Sequence, residues 1–142
     1  MIEKFLLTIS LFGGVALAQE MQQPEAGSPL RKAILDGLRA DDPVARLQKE
    51  WQGKVVFTHV VIRSAKDWAW VVASPQTADA KHIIEPLTSV MHIQSGHWQV
   101  VEYISDEVAP ADRPEQAYRN WREQFLRRHR ECPRSIFPEK FD

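Results

Sequence analysis

Leu30, Ile34 and Leu38 recur at every fourth position behind Ser28-Pro29, and Ala33 and Leu35 widen the stripe. This pattern predicts an amphipathic helix with Ser28 as N-cap and Pro29 at the first helical position. Gly37 weakens that helix without cancelling it. Asp42-Pro43 can restart it, with Val44, Leu47 and Trp51 on one face before Gly53 stops the turn. From Lys54 the period shortens. "KVVFTHVVIR" is β-branched and aromatic on both faces, which predicts a strand covered on two sides or a central one. Ser64 to Asp67 reads as a hairpin turn into "WAWVVAS", and residues 75–86 as a loop with a short apolar island.

"LTSVMHIQ" and "HWQVVEYI", joined by Ser95-Gly96, predict a second hairpin with a two-residue loop. In that register Gln94 faces His97, Ile93 faces Trp98 and Met91 faces Val100. One face collects Leu87, Met91, Ile93, Trp98, Val100 and Ile104, and the other is mixed; a slip by one residue would exchange them. The last element is a helix. Asp112 and Glu115 resemble a capping box around Pro114, Ala117, Tyr118, Trp121 and Phe125 make the apolar stripe, and Pro133 ends it. "SIFPEKF" follows as an apolar tail that tucks against the sheet. The predicted fold class is α+β: an N-terminal helix, a four-stranded antiparallel sheet and a C-terminal helix.

The amino terminus changes this picture. "MIEK" precedes an apolar run from Phe5 to Leu17, and Ala16-Leu17-Ala18 supplies a small-residue cleavage site. That is the layout of a cleavable signal peptide over residues 1–18, too short for the roughly 20 apolar residues that cross a bilayer. The expectation is export to the periplasm or beyond, with cleavage after Ala18 and no membrane insertion afterwards. Residues 19–27 then form a flexible leader and 28–142 a single domain. One cysteine, Cys132, excludes an internal disulfide.

Charge adds an asymmetry to a chain whose net value is −1. Residues 19–112 hold 9 Lys/Arg against 13 Asp/Glu, whereas residues 113–142 hold 8 against 5. A basic end on an acidic body suits an acidic protein partner. A sequence pI near 6.5 argues against nucleic acid.

"RKAILDGLR", "KVVFTHVVIRSAKDWAWVVASP", "HWQVVEYI" and "SIFP" resemble a family of small exported bacterial proteins. The family pattern runs from an RxAILDALR-type helix through "DWAxV" and "WxVVE" to a closing "xIFP". The resemblance implies a cystatin-like or NTF2-like α+β fold and carries over no catalytic residue. This chain departs from the pattern in acidic residues around Asp106-Glu107 and in the arginine content of its final helix.

Candidate chemistry is sparse. Trp68 and Trp70 share a strand face, either as the wall beneath the first helix or as the lining of a pocket. His92 and His97 fall diagonally on one face, about 7–8 Å apart, with His59 on a strand that can lie near. No ligand spacing argues for zinc, so neither metal nor cofactor is expected. Glu102 projects toward the apolar face near a strand end and needs a partner, most simply an arginine. Arg119, Arg122, Arg127, Arg128 and Arg130 lie away from the Trp121 stripe. They read either as a solvated face with Glu115–Arg119 and Glu123–Arg127 pairs, or as an anion-recognition surface.

No nucleophile motif or phosphate loop is present. The expected function is a non-enzymatic binding module, an inhibitor of or accessory to a cell-envelope enzyme. The sites expected for its partner or ligand are Trp68, Trp70, His92, His97, Glu102, Arg119 and Arg122. The alternative is a small-molecule carrier or enzyme with an NTF2-like pocket built from Trp68, His92, His97 and Glu102.

Overall fold

Ser28 caps α1 (Pro29–Ala40) as the sequence predicts, its hydroxyl accepting from the Arg31 N–H at 3.3 Å. Asp41 interrupts the helix in an extended conformation, and α2 (Asp42–Trp51) restarts behind it. Gln52, and not Gly53, takes the left-handed conformation that ends α2, with φ 53°. The computed structural model describes residues 20–105 and 113–141. The expected signal peptide, the Asp106-Glu107 pair and Asp112 lie outside the described residues. No helix among the described residues is long and apolar enough to cross a membrane.

Four antiparallel strands follow in the order β1 (Val56–Ala65), β2 (Trp68–Gln76), β3 (Leu87–Gln94) and β4 (His97–Ile104), as an open meander. The chain closes with α3 (Pro114–Arg128) and a 3₁₀ turn at Arg134–Ile136. Among the described residues the architecture is α+β, with three α-helices around one antiparallel sheet.

Both hairpins are tight. Lys66-Asp67 alone turns β1 into β2, while Ser95 and Gly96, both at positive φ, make the predicted two-residue loop. The predicted register holds from Gln94–His97 to Met91–Val100. Beyond it β4 carries one extra residue, because Val90 faces Glu102 while Met91 faces Val100. Such a bulge reverses the faces downstream. Ile104 therefore joins Val90 and Tyr118 instead of Met91 and Trp98, which corrects the expected grouping of Ile104 with Met91.

β1 is an edge strand, not a central one. A bulge between Thr58 and Val61 leaves His59 at φ 52°, and Val56 and Val61 stay exposed. A both-faced apolar run can reflect partial cover at an edge as well as a central position. The leader ties to this edge by one antiparallel bridge, with Gln22 and Ser64 exchanging backbone bonds of 2.6 and 2.8 Å.

Helices cover the sheet on both faces. α1 and α2 pack Ile34, Leu38 and Val44 against Ile62, Ala69, Val71, Ala73, Met91 and Trp98. α3 and the tail pack Tyr118, Trp121, Phe125, Ile136 and Phe137 against Trp68, Trp70, Val90 and Ile104. The predicted core strand therefore exists, but its indoles lie beneath the C-terminal helix and not the first one. The residues opposite them, Ala69 and Ala73, admit α1 and α2. Gly37 shows how close that approach is: a Cβ there would sit 2.4 Å from the Trp98 carbonyl oxygen.

α3 departs from the sequence reading at both ends. Its N-cap position falls on Arg113 with no side-chain cap there, and the capping box expected from Asp112 lies outside the described residues. It ends at Arg128, five residues before Pro133, and Cys132 is buried in the turn beyond.

Candidate functional site

The alternation of β2 brings Trp68 and Trp70 to one face, where they are 3% and 2% exposed. Trp70 meets the rings of Tyr118, Trp121, Phe137 and Phe141 at centroid distances of 5.7–6.4 Å. These are edge-to-face separations that an aromatic core prefers. Trp68 stacks on His92 at 4.0 Å and 17°, with Phe125 at 6.2 Å and His129 at 5.6 Å. The indoles are thus wall, with their faces taken up by protein rings.

The remaining sequence candidates separate. His92 belongs to the wall through Trp68, while His97 is exposed at the hairpin end opposite Gln94. His59, in the β1 bulge, lies toward the other end of the sheet, since its neighbours pair with Ser74 and Val72 while His92 pairs with Trp68. Among the described residues no group of three His, Cys, Asp or Glu side chains is placed to hold a metal ion.

Glu102 has the arginine partner its position calls for. Its carboxylate accepts from Arg128 at 3.2 Å and from the Trp121 indole N–H at 3.4 Å. It does so on the α3 face, the opposite face from the one expected, because of the β4 bulge. His129 lies nearby against Phe125, at 4.4 Å between ring centroids. Its pKa is lowered, first by burial and then by the Arg128 charge. The Cys132 thiol is pushed up to about 12 by burial alone, which keeps it protonated at neutral pH.

Charge converges elsewhere. The 3₁₀ turn docks on β1 and β2, and α3 borders the same space. Arg63 of β1 fixes that docking: its guanidinium donates to the Ile136 carbonyl at 2.9 Å and to the Ser135 carbonyl at 3.1 Å. Arg134 donates twice to Glu123 of α3, at 2.5 and 2.8 Å, and holds that carboxyl down to about 2. The expected Glu123–Arg127 pair is replaced, Glu123 reaching across to Arg134 instead, and Arg119 donates to Gln116 where Glu115 was expected.

Between these elements lies a groove of about 600 Å³ lined by Arg63, Arg119, Arg122, Arg134 and Lys140, with Glu115, Glu139, Ser135 and Phe137 completing it. Arg122 is largely buried. Its side chain is 17% exposed, and its guanidinium lies over the Tyr118 ring at 5.6 Å. Among the described residues its buried Nε has no hydrogen-bond partner, the carboxylate of Glu123 standing off at 3.6 Å. Arg119 is exposed and donates only to Gln116, at 3.2 Å.

The structure thus brings Arg119 and Arg122 together and separates both from Trp68, His97 and Glu102. Sequence reasoning missed Arg63, Arg134 and Lys140. One signal was available, since Arg63 is the only arginine or lysine of β1 and stands in the run Val60-Val61-Ile62-Arg63. A second groove of about 640 Å³ runs between α1 and β4, past Asp36, Gly37, His97 and Trp98. No protein-family model, curated protein or solved structure matches the chain.

Proposed function

We propose that the protein is an exported, non-enzymatic binding module that presents the α3 groove to an acidic protein partner, as an inhibitor of or accessory to a cell-envelope enzyme. The observation that carries this reading is the convergence of five cationic side chains from β1, α3, the 3₁₀ turn and the tail on one groove, against two carboxylates. Clefts lined by one sign of charge steer and hold the opposite sign. The aromatic wall behind the groove keeps that surface rigid, and rigidity lowers the ordering cost of binding.

The cystatin-like or NTF2-like resemblance belongs to this proposal. A helix followed by a four-stranded antiparallel meander supports it, and the helical layer on the second face is an addition to that pattern. Export rests on the Met1–Ala18 sequence pattern.

The test is affinity capture from an envelope extract with the mature chain and with Arg119→Ala/Arg122→Ala. Recovery of one stoichiometric partner by the wild type, lost from the double variant and at high salt, supports the reading. Equal recovery by both chains overturns it.

A further inference from the structure

We infer that the α3 groove takes a short carboxylate-bearing peptide segment, and that Arg122 is the residue that selects carboxylate. This rests on the groove being the contact surface proposed above.

The division of labour among the cations argues for it. Arg63 and Arg134 are each tied down by two of their five N–H donors, Arg63 to the Ser135 and Ile136 carbonyls and Arg134 to Glu123. They contribute positive potential from positions that existing bonds hold fixed. Arg122 is different. The Tyr118 ring below it and Glu123 beside it hold the guanidinium plane, yet its buried Nε has no acceptor. Guanidinium carries five N–H donors in a rigid fork, and that fork matches the two oxygens of a carboxylate. With one N–H lacking an acceptor and its side chain still 17% exposed, Arg122 is incompletely satisfied in the free protein, and an anion at the exposed part of its guanidinium adds the charged partner that partial burial calls for. Arg119, exposed and held only by Gln116, is free to swing onto the same anion.

The two carboxylates of the groove narrow the ligand class. Glu115 and Glu139 line the same space, and they would repel a bare polyanion. A peptide brings backbone N–H donors that pair with them while its acidic side chains or terminus reach the arginines. The groove's volume of about 600 Å³ is far more than one anion fills, and it falls within the roughly 300–1,000 Å³ of ligand clefts.

The experiment titrates the mature chain at low salt with an N-acetylated, C-amidated hexaglutamate, with its hexaglutamine counterpart and with inorganic phosphate, following the arginine Nε–H resonances. The hexaglutamate should shift Arg122 Nε–H at saturation, with hexaglutamine and phosphate binding at least about tenfold more weakly. Arg122→Lys keeps the charge and removes the fork, and should weaken hexaglutamate about tenfold, whereas Arg130→Lys outside the groove should leave it unchanged. Equal binding of phosphate, equal binding of hexaglutamine, or full retention by Arg122→Lys would each overturn the inference. If partner capture still depends on Arg119 and Arg122 after such a result, the binding-module reading stands and only the ligand class falls.

Discussion

On the α1/α2 side β2 presents Ala69, Val71 and Ala73; on the α3 side it presents Trp68 and Trp70. The alternation of one strand thus creates two different interiors. Small residues let the first helical layer come almost into backbone contact, with Gly37 set against the Trp98 carbonyl. Large residues hold α3 off on a bed of rings, and the gap is filled by Tyr118, Trp121, Phe125, Phe137 and Phe141. The rim of that thicker layer is where the arginines gather. One face is built for close packing, and the other carries a charged surface on an aromatic foundation.

The sharpest way to break this comparison is to remove a ring. Trp70→Ala should cost about 3–5 kcal/mol in denaturant unfolding, because the surrounding rings cannot collapse into the space. Val71→Ala, one residue along on the opposite face, removes two methyl groups and should cost about 2 kcal/mol. Equal losses at the two positions would mean that the aromatic layer is no more demanding than the aliphatic one.

Next in size is Gly37→Ala. Alanine improves helix propensity by about 1 kcal/mol, but its Cβ would lie 2.4 Å from the Trp98 carbonyl oxygen and 2.9 Å from the Trp98 Cβ. Overpacking of this kind costs about 1–3 kcal/mol, and backbone cannot rotate aside as a flexible side chain can. A net loss of stability is expected by thermal unfolding, and a gain would show that α1 stands further from β4.

That contact marks the boundary of what the chain reveals by itself. Helices, strands and both hairpins are legible because periodicity and turn chemistry are local. The partner of each face is not. Trp68 and Trp70 announce burial, but whether α1 or α3 covers them depends on which side each connection crosses. The β4 bulge leaves no mark in "QVVEYI", yet it sends Glu102 and Ile104 to the α3 face. The groove was legible by half: Arg119 and Arg122 sit one turn apart on a helix, whereas Arg63 and Arg134 join them only through tertiary contacts.

Each face also has one tyrosine hydroxyl that ties distant segments together. On the α1/α2 side Tyr103 donates to the Asp41 carboxylate at 2.6 Å, and burial followed by that bond raises its pKa. On the α3 side Tyr118 donates to the Pro138 carbonyl at 2.5 Å, with its pKa pushed up to about 12 by burial. Tyr103→Phe should cost about 1.5 kcal/mol, since the acceptor is charged, and Tyr118→Phe about 1 kcal/mol. Reversal of that order would place the tail, and not the α1–α2 junction, as the more tightly held segment.

The smallest effect is electrostatic and reads the α3 side by pH. Glu123 has its carboxyl lowered to about 2, first by the hydrogen bond from Arg134, from an ordinary value of 4.5. Its contribution is therefore complete above about pH 4.5 and lost as pH falls toward 2. His129 titrates in an earlier window: its lowered pKa means that stability declines as pH drops below its ordinary 6.5, where the unfolded chain takes up the proton first. Asp36, on the other side, is also lowered, but first by a hydrogen bond from Lys32 within the same helix. An acid titration of stability should show the lower limb flattened in Glu123→Gln, where the tie between α3 and the 3₁₀ turn is cut, and flattened less in Asp36→Asn, where the bond spans only one helical turn. Equal flattening would make Glu123–Arg134 an ordinary surface pair, with no part in holding the wall of the groove.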